Sequence, residues 1–115
     1  MATPRLDQPL YVAKAELFRS LGQPARIRIL ELLVEAEQPV SRLLSETGLE
    51  PSSLSQNLLV LKSAGLVEST RKGNAVTYRV TDPSIAEFLL SARRVLASTL
   101  GRARAALEDL EGPAK

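Results

Sequence analysis

The chain has 115 residues, of which 44% are apolar, with two Phe, two Tyr, no Trp, no Cys and no His. This composition predicts one domain whose core is Leu, Val, Ile and Ala packed between helices. Lack of Cys and His removes disulfides, thiolate metal sites, cysteine nucleophiles and imidazole bases. With no Gly-rich phosphate loop and no catalytic carboxylate pair either, we expect no enzyme activity and no cofactor.

The net charge is only +2, but the basic residues are unevenly distributed. Between Pro51 and Arg79 there are four Lys or Arg residues and one Glu. The isoelectric point of 9.3 exceeds the value of about 9 that is typical of nucleic-acid-binding domains. This local excess of positive charge predicts contact with a phosphate backbone.

No apolar run reaches the roughly 18 residues that a membrane span needs, and the N-terminus lacks the pattern of a secretory signal. We therefore expect a cytoplasmic protein with no membrane partner. Residues 1–8 are predicted to be a flexible arm, residues 9–111 the folded domain, and residues 112–115 a flexible tail.

Apolar residues in the first half repeat at helical spacing. A first helix is predicted from Pro9 to Leu21 and a second, buried on most sides, from Pro24. A short third helix runs from Ser41 to Thr47, before Gly48.

The fourth helix begins at Pro51, and its inner stripe is Leu54, Leu58 and Leu61. Two short strands follow, Leu66 to Arg71 and Ala75 to Val80, around a basic tip. In the second strand we expect Val76, Tyr78 and Val80 to alternate inward.

The last helix is predicted to start at Asp82-Pro83, with Asp82 as N-cap, and to continue to Leu110. At 1.5 Å per residue it is about 40 Å long, and so small a protein cannot bury its whole apolar stripe. We therefore expect the exposed part of this apolar stripe to be covered by a partner, most simply a second copy of the chain.

This element order is mainly α with a small β-hairpin, α1-α2-α3-α4-β-β-α5, and it predicts a winged helix-turn-helix. Short hydroxyl and amide side chains near the start of the fourth helix suit phosphate oxygens and base edges, although such residues also serve as a solvated helix start. A basic hairpin tip is placed to touch the DNA backbone, although isolated basic turns are often only soluble turns. The candidate DNA-binding residues are Ser52, Ser53, Ser55, Gln56, Asn57, Lys62, Arg71, Lys72 and Asn74.

Four segments, in this order, resemble the ArsR/SmtB repressors: Phe18 to Leu33, Ser52 to Leu58, Leu61 to Val67 and Arg71 to Val80. The resemblance covers about residues 10 to 100. It implies a dimeric winged helix that blocks transcription at an imperfect inverted repeat and is released, in many members, by a metal or another signal. It also implies that Ser52, Ser55, Gln56 and Asn57 contact DNA from the recognition helix, with Arg71, Lys72 and Asn74 on the wing.

We expect the homodimer to form through the first and last helices. The candidate interface residues are Leu10, Ala13, Leu17, Leu89, Leu96, Leu100, Ala103 and Leu107.

The chain departs from the metal-sensing members of this family. The Cys pair of the soft-metal sensors is missing from Pro39 to Leu43. The four positions that hold zinc or nickel ligands in other members are Asp82, Ser84, Val95 and Ser98 here, and Asp82 is better explained as a helix cap. We therefore predict no metal site, although a carboxylate-only site for hard ions stays open.

The sequence thus predicts a sequence-specific regulator, a repressor that binds double-stranded DNA as a homodimer. The alternative is a winged helix that acts by pairing with a separate sensor protein or partner regulator. The absence of an evident inducer site keeps this alternative open.

Overall fold

The computed structural model describes residues 7–111. Residues 1–6 of the predicted arm and the whole predicted tail lie outside them. One compact unit ends at Ile85, and a second begins at Ala86. The elements are α1 (Leu10–Leu21), α2 (Pro24–Glu35), β1 (Gln38–Pro39), α3 (Val40–Thr47), α4 (Pro51–Ser63), β2 (Val67–Lys72), β3 (Ala75–Val80) and α5 (Ser84–Leu110).

The core of the first unit is built around α2, as its apolar pattern predicts. Four of its residues are buried, two adjacent pairs that together cover more than one face of the helix. Burying each such side chain contributes about 1.5–3 kcal/mol relative to leaving it exposed. The buried apolar residues of this unit are Leu21, Ile29, Leu30, Leu32, Leu33, Leu43, Leu54, Leu58, Leu61 and Val67.

The sheet has three antiparallel strands in the order β1-β3-β2, where the sequence predicts only the hairpin. The additional strand, β1, pairs Gln38 with Tyr78 and Pro39 with Thr77. Two residues are too few to show an alternating pattern, and a proline normally indicates a break. Pro39 is tolerated because β1 is an edge strand.

The prediction for the inward face of β3 was wrong. Thr77 is buried, with 9% of its surface exposed, whereas Val76, Tyr78 and Val80 are only half-buried. Besides its two neighbouring strands, β3 contacts α2 and α3, so the packing of these helices, and not the apolar alternation within the strand, decides which of its side chains is buried. The Thr77 hydroxyl donates a hydrogen bond to the Thr70 carbonyl oxygen (3.3 Å), which satisfies the buried polar group.

The hairpin is tighter than the sequence indicates. Lys72 pairs directly with Ala75, so the turn consists of Gly73 and Asn74 alone. Gly73 has φ 63° and no described residue other than glycine has a positive φ. Glycine in the first central position with a positive φ, followed by a residue with a negative φ, defines a type II′ turn.

Helix α5 is 27 residues long, which corresponds to about 40 Å. The helix begins at Ser84, just after the predicted Asp82-Pro83 start, and the Asp82 carboxylate accepts a hydrogen bond from the backbone N–H of Ser84 (2.8 Å). Hydrogen bonding from the Ser84 hydroxyl, together with this bond from its backbone N–H, holds the pKa of Asp82 below its ordinary value. None of the residues of α5 is buried, and no helix among residues 7–111 is long and apolar enough to span a bilayer.

Candidate nucleic-acid interface

The turn between α3 and α4 sets the direction of α4. Gly48 adopts a left-handed conformation, and its N–H donates to the Leu44 carbonyl oxygen (2.9 Å). The Thr47 hydroxyl caps the same end by donating to the Leu43 carbonyl (2.7 Å). A residue with a Cβ is strained at this φ, so glycine here permits the tight turn of a helix-turn-helix.

The inner face of α4 is fixed by Leu54, Leu58 and Leu61, all of which are buried. This confirms the predicted core stripe. Because side chains on a helix recur with a period of 3.6 residues, burial of this stripe decides which residues point outward.

The outer face of α4 carries several of the predicted DNA contacts. Ser52, Ser55 and Gln56 are exposed at positions that place them on one side of the helix. Leu59 lies on the same side and is 63% exposed. The sequence interpretation missed Leu59, although its spacing from Ser55 and Gln56 would have located it.

Asn57 and Ser53 lie apart from this outer face and are half-buried. The Asn57 side-chain oxygen accepts a hydrogen bond from Nη1 of Arg26 (3.2 Å), and its amide nitrogen donates to the Ser53 carbonyl (2.9 Å). Nε of Arg26 in turn donates to the Ser20 carbonyl (2.7 Å). Any base contact by Asn57 would therefore compete with two existing hydrogen bonds.

The wing formed by β2 and β3 presents its basic residues at the surface. Arg71 and Lys72, which precede the turn, and Asn74, which lies in it, are all exposed. The ammonium group of Lys72, however, forms an ion pair with Glu37, which the sequence interpretation did not foresee. Hydrogen bonding from the Lys72 ammonium group lowers the pKa of Glu37 from its ordinary value of 4.5.

A second basic residue of the wing is also paired, because Arg79 forms an ion pair with Glu68 on the neighbouring strand. Lys62, at the end of α4, donates a hydrogen bond to the Ser69 hydroxyl on β2 (2.9 Å). This bond places the Lys62 ammonium group where α4 meets the wing, so the structure brings one predicted phosphate contact between the two predicted DNA-binding elements.

The predicted dimer residues of α1 belong to the first unit. Leu10 is 70% exposed, while Ala13 and Leu17 are half-buried. Two aromatic side chains of α1, which were not among the predicted interface residues, are also exposed: Tyr11 and Phe18.

In α5 the predicted dimer residues leave an apolar surface. Leu96, Leu100 and Leu107 are 58%, 59% and 56% exposed, Ala103 is exposed, and Leu89 is half-buried. Their spacing of seven, four, three and four residues keeps them on one face of the helix.

Within residues 7–111, no group of three or more acidic side chains is placed to hold a metal ion. Asp82, the one residue at the family's zinc positions that could act as a ligand, is engaged as the cap of α5.

Comparison with known proteins agrees with this geometry. The family model for bacterial regulatory proteins of the arsR family matches residues 23–69. The chain is 56% identical over 105 residues to the HTH-type transcriptional regulator Rv0081 of Mycobacterium tuberculosis, covering 90% of this chain and 92% of that protein. It is also 38% identical over 80 residues to the HTH-type transcriptional repressor SmtB of the same species, covering 70% of this chain and 59% of that protein.

Solved structures show the same fold. The crystal structure of Rv0081 matches with a TM-score of 0.78 at 54% identity, covering 84% of this chain and 98% of that one. The solution structure of the homodimeric winged helix-turn-helix DNA-binding domain of Mb0332 from Mycobacterium bovis, a possible ArsR-family regulator, matches with a TM-score of 0.71 at 31% identity. It covers 84% of this chain and 91% of that domain. The chain therefore belongs to the arsR family of bacterial regulatory proteins and is a DNA-binding transcriptional regulator with a winged helix-turn-helix fold, not an enzyme.

Proposed function

We propose that this protein is a repressor that binds an inverted-repeat operator as a homodimer and reads its sequence with α4. The observation that carries the proposal is the outer face of α4, where Ser52, Ser55 and Gln56 are exposed beside a basic wing. Hydroxyl and amide groups on such a face can donate to and accept from base edges in the major groove, and an amide such as that of Gln56 suits adenine.

The wing supplies affinity in this proposal. Arg71 and Lys72 directly precede the two-residue turn and are exposed, and the Lys62 ammonium group reaches from α4 to Ser69 on β2. Cations in these positions neutralise phosphates and release counterions, which strengthens binding to every duplex without selecting a sequence.

Dimerisation is part of the proposal for two reasons. Two recognition helices about 34 Å apart can enter successive major grooves on one face of the duplex. The exposed leucines of α5, Leu96, Leu100 and Leu107, form an apolar surface that a second copy would cover. The Mb0332 domain from Mycobacterium bovis is homodimeric, which supports dimerisation.

Repression is favoured over activation by the relative SmtB, which is a transcriptional repressor. A bound dimer would exclude RNA polymerase from a promoter that overlaps its operator.

Because its target is bacterial DNA, we place its action in the cytoplasm. We also propose that DNA binding does not depend on nickel or zinc, since one family metal site lacks its Cys pair in this sequence and the other keeps only Asp82, which caps α5.

The experiment is a fluorescence-anisotropy titration of the full chain against the DNA upstream of its own gene and a scrambled duplex of equal length. It is run at several salt concentrations, with and without nickel or zinc. We expect tight, operator-selective binding that weakens as salt rises and does not respond to metal.

Two results would contradict the proposal. Equal affinity for the operator and the scrambled duplex would contradict sequence-specific binding. Absence of binding, with a second regulator or sensor protein co-purifying in stoichiometric amount, would favour a winged helix that acts through a protein partner.

A further inference from the structure

One apolar side chain interrupts the polar outer face of α4. Leu59 is 63% exposed, whereas its neighbours Leu58 and Leu61 are 3% and 0% exposed. Single exposed leucines are common on protein surfaces, but this one lies in the middle of the proposed DNA-reading face. Its side chain contributes little to the core and is available to a group outside the chain.

Its position matches a row of base contacts. Leu59 follows Ser55 and Gln56 by four and three residues, and Ser52 by seven, so the four share one side of the helix. Seven residues of α-helix span about 10 Å, close to three base pairs at 3.4 Å each. A face from Ser52 to Leu59 therefore has the length to meet three successive base pairs.

The chemistry of this face is unusual for contact with phosphates, because no residue from Pro51 to Leu61 is charged. If the isobutyl side chain of Leu59 packed against a phosphate or an exocyclic amine, it would displace water from that polar group and offer no hydrogen bond. Such desolvation is unfavourable. Only thymine displays an apolar group in the major groove, its 5-methyl.

We propose that Leu59 is a specificity-determining residue that packs against the 5-methyl group of a thymine in each half-site of the operator. This assignment rests on the proposed function, because it requires α4 to lie in the major groove. Gln56, one turn earlier, would read an adjacent base pair by hydrogen bonding, so that polar and apolar readout alternate along one helix face.

The test starts from a duplex selected from a random pool by repeated binding to the full-length protein. Each thymine in one half-site is then replaced singly by deoxyuridine, which removes only the 5-methyl group. The dissociation constant of every duplex is measured by fluorescence anisotropy for the native protein, Leu59→Ala, Leu59→Met and Ser63→Ala. The last variant is the matched control, because Ser63 is exposed one turn further along the same helix.

We expect the native protein to lose affinity about threefold to fourfold at one thymine, as expected for one apolar carbon group left unburied. Leu59→Ala should bind thymine and deoxyuridine equally at that position, while Leu59→Met and Ser63→Ala keep the discrimination. Thermal unfolding of all three variants should match the native protein, because neither side chain is buried.

Two outcomes would overturn the assignment while leaving the proposed function in place: selective binding in which no thymine is sensitive to loss of its methyl group, or a sensitivity that persists unchanged in Leu59→Ala. A native protein that selects no duplex at all would refute both the proposed function and the role of Leu59.

Discussion

Arg26 links α4 to the rest of the first unit through Asn57, with 3.2 Å between the guanidinium Nη1 and the side-chain oxygen. The same guanidinium reaches the last turn of α1 through the Ser20 carbonyl. Because Arg26 belongs to α2, one side chain links three helices. Asn57 therefore holds α4 in position, and its neighbour Gln56 is left to face outward.

Adjacent substitutions in α4 should separate these roles. Asn57→Ala removes an acceptor from a charged donor, and we expect the free energy of unfolding to fall by about 1–2 kcal/mol in urea titrations. The ranking of operator variants should stay unchanged. Gln56→Ala should show the reverse, with native stability and a relaxed preference at one base pair. If Asn57→Ala instead has native stability and an altered base preference, Asn57 contacts bases, as the sequence predicted, and does not serve to hold α4 in position.

The ion pair between Lys72 and Glu37 should weaken the contact of the wing with DNA. Glu37→Gln removes the competing carboxylate, so we expect affinity for all duplexes to rise about twofold to fivefold, the fold-change equivalent to loss of an exposed ion pair. Lys72→Ala should lower affinity for all duplexes and reduce the slope of log affinity against log salt by about one.

Glu31→Gln is the matched control for this comparison, because it changes net charge equally but lies in α2, paired with Arg28. Salt-dependent anisotropy of the three variants measures the effect. An equal gain in affinity from Glu31→Gln and Glu37→Gln would show that net charge alone, and not release of Lys72, is responsible.

The apolar face of α5 predicts a further result. Leu100→Glu places a carboxylate in a surface that we expect to be covered by the second copy, and burial of an unpaired charge is strongly unfavourable. Sedimentation velocity should show a monomer at concentrations where the native protein is a dimer. Ser98→Glu adds the same charge on the opposite side of the helix and should remain dimeric. A dimer that survives Leu100→Glu would place the interface on another surface.

The response to pH should be flat near neutrality. The chain has no His and no Cys, so none of its side chains has an ordinary pKa between 5 and 8. The pKa values of Glu37 and Asp82 are lowered in the folded protein. A lowered pKa contributes stability that is complete above the unfolded-state value and is lost as pH falls through the folded-state value.

Unfolding midpoints in urea should therefore be constant from pH 6 to 8 and decline only in acid, below about pH 4.5, near the unfolded-state values of these carboxyl groups. A midpoint that changes between pH 6 and 7 would contradict this assignment of the titrating groups.

Local chemistry was readable from the sequence. The leucine stripe of α4, the Asp82 cap and the glycine at the wing turn each depend on residues a few positions apart, and periodicity or turn chemistry reports such relationships directly. The same periodicity locates Leu59 on the outer face once Leu54, Leu58 and Leu61 are assigned to the core.

Contacts between distant segments were decided only by the tertiary structure. Arg26 and Asn57 are 31 residues apart, and the partner of Lys72 lies in the loop before β1. Thr77 is the buried residue of β3 because α2, α3 and the short strand β1, all distant or weakly patterned in sequence, pack against this strand. The periodicity of apolar residues specifies which side of its helix or strand a residue occupies. The hydrogen-bond partner of that residue depends on how the helices and strands pack. The sequence thus determined the family, the helices and the hairpin, and packing decided which polar side chains are engaged within the protein and which face outward.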